Sequence, residues 1–268
     1  MPPIVRVTAG QQGRRLLVLV ATVASIAAGQ AQVLLDLGQT PAQFAADSDA
    51  SLRVAGFAFA IWGPIYLGLL IYAVRQALPG TPESLMIRRF GWPSLLALLG
   101  IGVWIIAAAR DWELATIVLI FGAWLALMVA LVGGAADIRA LDRRDPDRWM
   151  TVWPLALLAG WLTIASPVNL LTVITGNGDL PAALAPTTWA MLALAAVGLI
   201  ALVVSRLIRS IAFALPIAWG LFGVYSAEQA RGNDTLAIFA VAACAAVAAG
   251  AVMLAFQRTA RTGQAATA

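Results

Sequence analysis

Residues 152–174 read VWPLALLAGWLTIASPVNLLTVI, a run without a single charge. A helix needs about 20 mostly apolar residues to cross the roughly 30 Å hydrocarbon core of a bilayer. Lipid offers the backbone no hydrogen-bond partner, so a crossing segment satisfies its own N–H and C=O groups by becoming a helix. This stretch is therefore a transmembrane helix. Seven similar runs flank it, at roughly 16–35, 54–74, 92–109, 114–135, 187–205, 210–227 and 235–256. The fold class is all-α: a polytopic transmembrane bundle of about eight helices. In the third run Trp92-Pro93 is read as the helix start, where proline is tolerated.

Composition agrees. The 268 residues are 62% hydrophobic and 11% charged, with a mean hydropathy of +0.89, against about 45–50% and about 25% in a soluble domain. Only loops and tails remain outside the bilayer, so a separate soluble domain is excluded. All 17 basic residues are arginine, which suits a GC-rich bacterial genome. In a soluble protein the net charge of +4 would suggest nucleic acid; here the arginines flank apolar runs and mark topology, so no nucleic-acid partner is expected. Fourteen of the 17 fall before the first run, after the eighth, or in alternate loops, leaving Arg53, Arg110 and Arg231 opposite. This positive-inside pattern predicts an inner-membrane protein with both termini cytoplasmic. Arg14 and Arg15 ahead of the first run, and small residues at Ala28–Ala31, also fit a signal peptide; a retained helix is the preferred reading.

The chemistry available is narrow. There is no histidine and one cysteine, Cys244, which excludes His-ligated zinc, His-ligated haem, Cys clusters, Ser-His-Asp triads and disulfide frameworks. Cys244 is read as a packing residue. No ionisable side chain lies near the middle of a run, which argues against a proton-coupled pump, a voltage sensor or a hydrolase. No catalytic residue, metal or cofactor is expected.

The ten tryptophans divide by depth. Trp92, Trp112, Trp149, Trp153 and Trp189 sit where an interfacial aromatic belt forms. Trp62, Trp104, Trp124, Trp161 and Trp219 lie deeper, and an indole N–H there needs an inward partner. In the second run, Phe57-Ala-Phe59-Ala-Ile-Trp62-Gly-Pro64-Ile-Tyr66 places Trp62 and Tyr66 on one helical face. In the fifth, Trp161, Ala165 and Asn169 step four by four, with Ala165 leaving a gap. Pro64 and Pro167 free the carbonyls of Ala60 and Thr163 and allow bends. Asn169 needs a partner from another helix or a ligand. Such faces line a slot for a flat, mostly apolar molecule.

These two motifs, in this order and separation, resemble the TspO/MBR family, the tryptophan-rich sensory proteins. The resemblance covers about residues 16–176. It implies a TspO-like five-helix unit over residues 1–176, with residues 177–268 adding three transmembrane helices and a short tail. It also implies a long first loop, here 36–53, over a pocket for porphyrins or other flat hydrophobic ligands. The ligand-binding residues so implied are Phe59, Trp62, Tyr66, Trp104, Trp161, Ala165 and Asn169. The departures are Ser51-Leu-Arg53-Val in place of the family's Trp-x-Pro-Pro, Ile101 in place of an asparagine before Trp104, and Leu158 near a tyrosine position. A non-enzymatic membrane sensor or receptor is expected, its partners the lipid bilayer and a tetrapyrrole or a sterol- or isoprenoid-like molecule, with a homodimer left open. The alternatives are a small-molecule transporter using a seventh helix kinked at Pro216, and a structural subunit without ligand.

Topology is directly testable. A reporter active only in the cytoplasm is expected to work when fused after Ala268, and one active only outside to work within residues 40–48. An external C-terminus would contradict the eight-helix count.

Overall fold

A computed structural model describes residues 8–46, 50 and 52–256. Asp47, Asp49 and Ser51 of the first loop, Arg6, Arg258, Arg261 and the tail at 259–268 lie outside the described residues. Among the described residues every regular element is helical: α1 (Ala9–Leu34), α2 (Pro41–Phe44), α3 (Trp62–Ala77), α4 (Leu85–Ala109), α5 (Glu113–Gly133), α6 (Ala135–Ala140), α7 (Trp153–Gly176), α8 (Pro186–Ile208), α9 (Ala214–Ala230) and α10 (Asp234–Phe256). A 3-10 turn over Gly56–Ile61 leads into α3, and a π turn over Arg148–Val152 leads into α7.

Seven of these segments are long and apolar enough to span a membrane. The remaining long helix, α9, has 17 residues and extends about 25 Å at 1.5 Å per residue, a little short of the hydrocarbon core. The eight expected runs thus appear as eight long helices, the seventh shorter than a full span.

The helix starts depart from the apolar runs for a definite reason. α1 begins at Ala9 because Thr8 and Gln11 form a reciprocal capping box, which satisfies two orphan N–H groups. α4 begins at Leu85, where Ser84 Oγ accepts from the Ile87 N–H at 3.0 Å. Pro93 therefore lies inside α4, not at its start. Pro64 and Pro216 instead fall in the first turns of α3 and α9. The bend expected at Pro64 takes the form of the 3-10 turn, and Pro216 does not interrupt the interior of α9.

Ionic contacts tie one end of the bundle together. Arg14 and Arg15 grip Glu83 at 2.5 and 2.6 Å, and Arg15 is fully buried. Arg75 pairs with Asp147 at 2.6 Å and Arg89 with Asp137 at 2.6 Å. Arg139 donates to the Leu207 carbonyl at 2.5 Å. These bonds gather the start of α1, the α3–α4 connection, α6, the approach to α7 and the end of α8 on one basic face, as the arginine alternation requires.

The helix at the centre is α7. In its segment 72% of the best span is buried, against 28–44% for the others. The reason is its sequence: Gly160 lets α9 approach so closely that an added Cβ would sit 2.0 Å from the Phe213 carbonyl oxygen and 2.8 Å from Pro216 Cγ. Gly160→Ala is therefore expected to destabilise the protein by about 1–3 kcal/mol, as overpacking does. This should read as a lower melting temperature in detergent, whereas Gly122→Ala, which faces open space, should leave it unchanged.

Candidate functional site

The 3-10 turn, α3, α4 and α7 converge beneath α2 to enclose two adjoining cavities. Measured as space open to the centres of water molecules, the inner one holds about 50 Å³ and the outer about 220 Å³. Phe59, Trp62, Trp104, Trp161, Ala165 and Asn169 line the inner cavity. Phe59, Trp62 and Trp104 also line the outer one, joined there by Tyr66. All seven side chains singled out from the sequence therefore meet at this place.

The rings form a box. Trp62 stacks on Tyr66, one turn along the same helix, with centroids 5.0 Å apart and planes at 28°. Trp161 meets Trp62 edge-on at 6.4 Å and Phe59 edge-on at 5.9 Å. Phe44 meets Trp104 edge-on at 5.8 Å. Offset and edge-to-face pairs add about 0.5–1.5 kcal/mol each beyond burial, so the box holds its shape without a ligand.

Polar groups in the box are of two kinds. Asn169 is consumed by the protein: the Trp104 indole donates to its Oδ1 at 3.0 Å, and its Nδ2 donates to Thr116 Oγ1 at 3.0 Å. Thr116 in turn donates to the Glu113 carbonyl at 2.6 Å. This chain ties α4, α5 and α7 together, so the partner that Asn169 requires comes from neighbouring helices. Among the described residues the indole N–H groups of Trp62 and Trp161 and the hydroxyl of Tyr66 have no hydrogen-bond partner. They are the polar points open to a bound molecule. Among the described residues no charged side chain lines either cavity. The other deep indoles are spent: Trp124 donates to Thr163 Oγ1 at 2.9 Å and Trp219 to the Ala58 carbonyl at 2.8 Å.

The roof comes from the first loop, as the family resemblance implied. Pro41, Phe44 and Ala45 close the inner cavity, and Thr40, Pro41 and Ala42 border the outer one. Sequence reading did not single out these residues, although their signal was present. Thr40 and Gln43 form a second capping box with Pro41 at the first helical position, the pattern of a helix start. Ile101 lines both cavities; nothing in its own sequence neighbourhood marks it. The departure noted at Ile101 thus falls inside the site.

A family model described as TSPO-like protein matches residues 15–254. No curated protein and no solved structure matches the chain. The family match runs well past residue 176, through α8 and α9 and nearly to the end of α10.

Asn169→Leu would strand the Trp104 N–H and remove the donor to Thr116 Oγ1. An unsatisfied buried donor costs about 1–3 kcal/mol. The variant is expected to melt lower by that amount, while Trp104→Phe in the same background should recover part of the loss, because the stranded donor is then gone. A double-mutant cycle on melting temperatures checks this.

Proposed function

The chain belongs to the TSPO-like protein family and is a multi-pass membrane protein of that kind; from that premise we propose that it is a non-enzymatic sensor-like receptor for a flat, hydrophobic, porphyrin-like molecule. The ligand sits between α3, α4 and α7 under α2, in a bacterial inner membrane with both termini in the cytoplasm. One observation carries this reading: six rings, Phe44, Phe59, Trp62, Tyr66, Trp104 and Trp161, surround adjoining cavities that carry unspent N–H and O–H groups and, among the described residues, no charge.

The lining sets the binding chemistry. Ring-on-ring contact and burial supply the affinity, while the Trp62 and Trp161 donors orient the molecule. A carboxylate drawn inside would be buried without a cation, at a cost of several kcal/mol. Acidic substituents therefore stay at the mouth, and the apolar ring edge goes in first. With no histidine in the chain and Cys244 on α10, an axial bond from either residue type plays no part.

Titration of the purified protein with protoporphyrin tests this through quenching of tryptophan fluorescence. Trp161→Ala is expected to weaken binding roughly 5- to 50-fold, combining lost stacking with lost burial. Trp161→Phe should have a smaller effect, and the belt control Trp189→Phe none. The dimethyl ester should bind at least as tightly as the diacid. Equal affinity in all variants would put the ligand elsewhere, and no quenching in the wild type would remove the porphyrin reading. Uptake into proteoliposomes would favour a transporter instead.

A further inference from the structure

The inner cavity has one wall that is fastened to α9 as well as to its own helices. Val54 and Phe59 face it, and both belong to the segment that runs from Leu52 into the 3-10 turn. That segment is fastened to α9. The Ala55 N–H donates to the Gly223 carbonyl at 3.0 Å, and the Trp219 indole donates to the Ala58 carbonyl at 2.8 Å. Phe57 packs edge-on against Trp219 at 5.6 Å. At the end of α9 the fully buried Glu228 accepts from the Arg53 N–H at 3.1 Å, from Asn233 Nδ2 at 2.8 Å and from Arg231 Nη1 at 3.3 Å. Arg231 Nη1 also donates to the Ala50 carbonyl at 2.9 Å. Gly223 permits this approach, because a Cβ there would lie 2.8 Å from Ala58 Cβ and 2.9 Å from Val54 Cγ1.

The inner cavity is also the narrower of the two: the space open to the centres of water molecules is about 50 Å³ there, against about 220 Å³ in the outer one. A larger occupant needs a wall to yield. The opposite walls are Trp161, Ala165 and Asn169 on the central α7 and Trp104 on α4, locked by the Asn169 bonds. The 52–59 segment is held by the Phe59–Trp161 ring contact and by bonds to α9.

We propose that Trp219, Gly223 and Glu228 of α9 are positioning residues for the ligand pocket: they set where Val54 and Phe59 stand, and displacement of that wall by a ligand is registered at α9. The proposal rests on the pocket reading above for its ligand. The clamp itself is testable without one.

The test uses the full chain with Cys244→Ser and Leu52→Cys as the only thiol; Leu52 is fully buried beside the clamp. Maleimide labelling without ligand is expected to be slow in this parent. It should speed up at least about tenfold with Gly223→Ala or Glu228→Leu, the effect of a local opening made about 1.4 kcal/mol easier. Glu228→Gln, which keeps a carbonyl acceptor for the Arg53 N–H, should stay near the parental rate. If Glu228→Leu does not fold, Gly223→Ala and Trp219→Phe carry the measurement. Unchanged labelling in folded variants overturns the clamp. With protoporphyrin bound, hydrogen exchange should change together at residues 52–58 and 223–231; a change at 52–58 alone overturns the coupling. If protoporphyrin does not bind, the pocket reading fails, while the labelling result still decides the clamp.

Discussion

A hydrogen-bonding group among lipid tails meets no water, so each one must find its partner inside the bundle or leave the bilayer. Most of the protein's deep polar groups follow this constraint, Thr172 Oγ1 and Ser205 Oγ being buried exceptions. The Trp104–Asn169–Thr116 chain spans three helices. Trp124 closes on Thr163, and Thr163 on the Ala159 carbonyl of its own helix. Ser25 Oγ bonds both its own helix and the Leu98 carbonyl of α4. Each bond fixes one helix against another at a definite height, which apolar packing between helices in lipid does weakly. The unspent donors on Trp62 and Trp161 stand out against this background, because both lie where the packing leaves a gap.

The same constraint separates a rigid core from a movable edge. α7 is buried on nearly every side, and Gly160 draws α9 against it. Its Trp161, Ala165 and Asn169 are therefore fixed references for anything that binds. Across the cavity, the 3-10 turn lacks a full α-helical bond ladder and takes its fixed points from Trp219, Gly223 and Glu228. The site is thus built from one wall set by the bundle's centre and another set by α9, which packs against that centre.

What was legible in the sequence follows from the range of the forces involved. The spans could be read because crossing lipid is a requirement on consecutive residues. The Trp62–Tyr66 and Trp161–Ala165–Asn169 faces could be read because helical geometry fixes which residues share a side. Helix starts were misjudged by seven residues at α1 and α4, since their caps, Thr8 and Ser84, are polar signals lying outside the apolar runs. α2 was missed for the same reason, although its Thr40–Gln43 box has a recognisable form. The proline expectations failed where they depended on those starts. A proline bends an α-helix only when α-helical turns precede it: Pro93 has two, whereas Pro216 lies in a first turn and Pro64 has only the 3-10 turn before it.

Contacts between segments distant in the chain left no such trace. Arg53 and Glu228 are 175 residues apart, and Trp219 and Ala58 are 161 apart. Glu228 at a helix end looks like an ordinary solvated carboxylate. Its burial depends on which loop lands beside it, and that is decided by the packing of the whole bundle. The same holds for Ile101, whose place in the pocket comes from the facing of α4 toward α7. A division of the chain after residue 176 follows from comparing apolar runs with a five-helix pattern. The bonds from α9 to residues 50–58 cross that line, so the wall of the aromatic cavity is completed by helices that the five-helix pattern lacks.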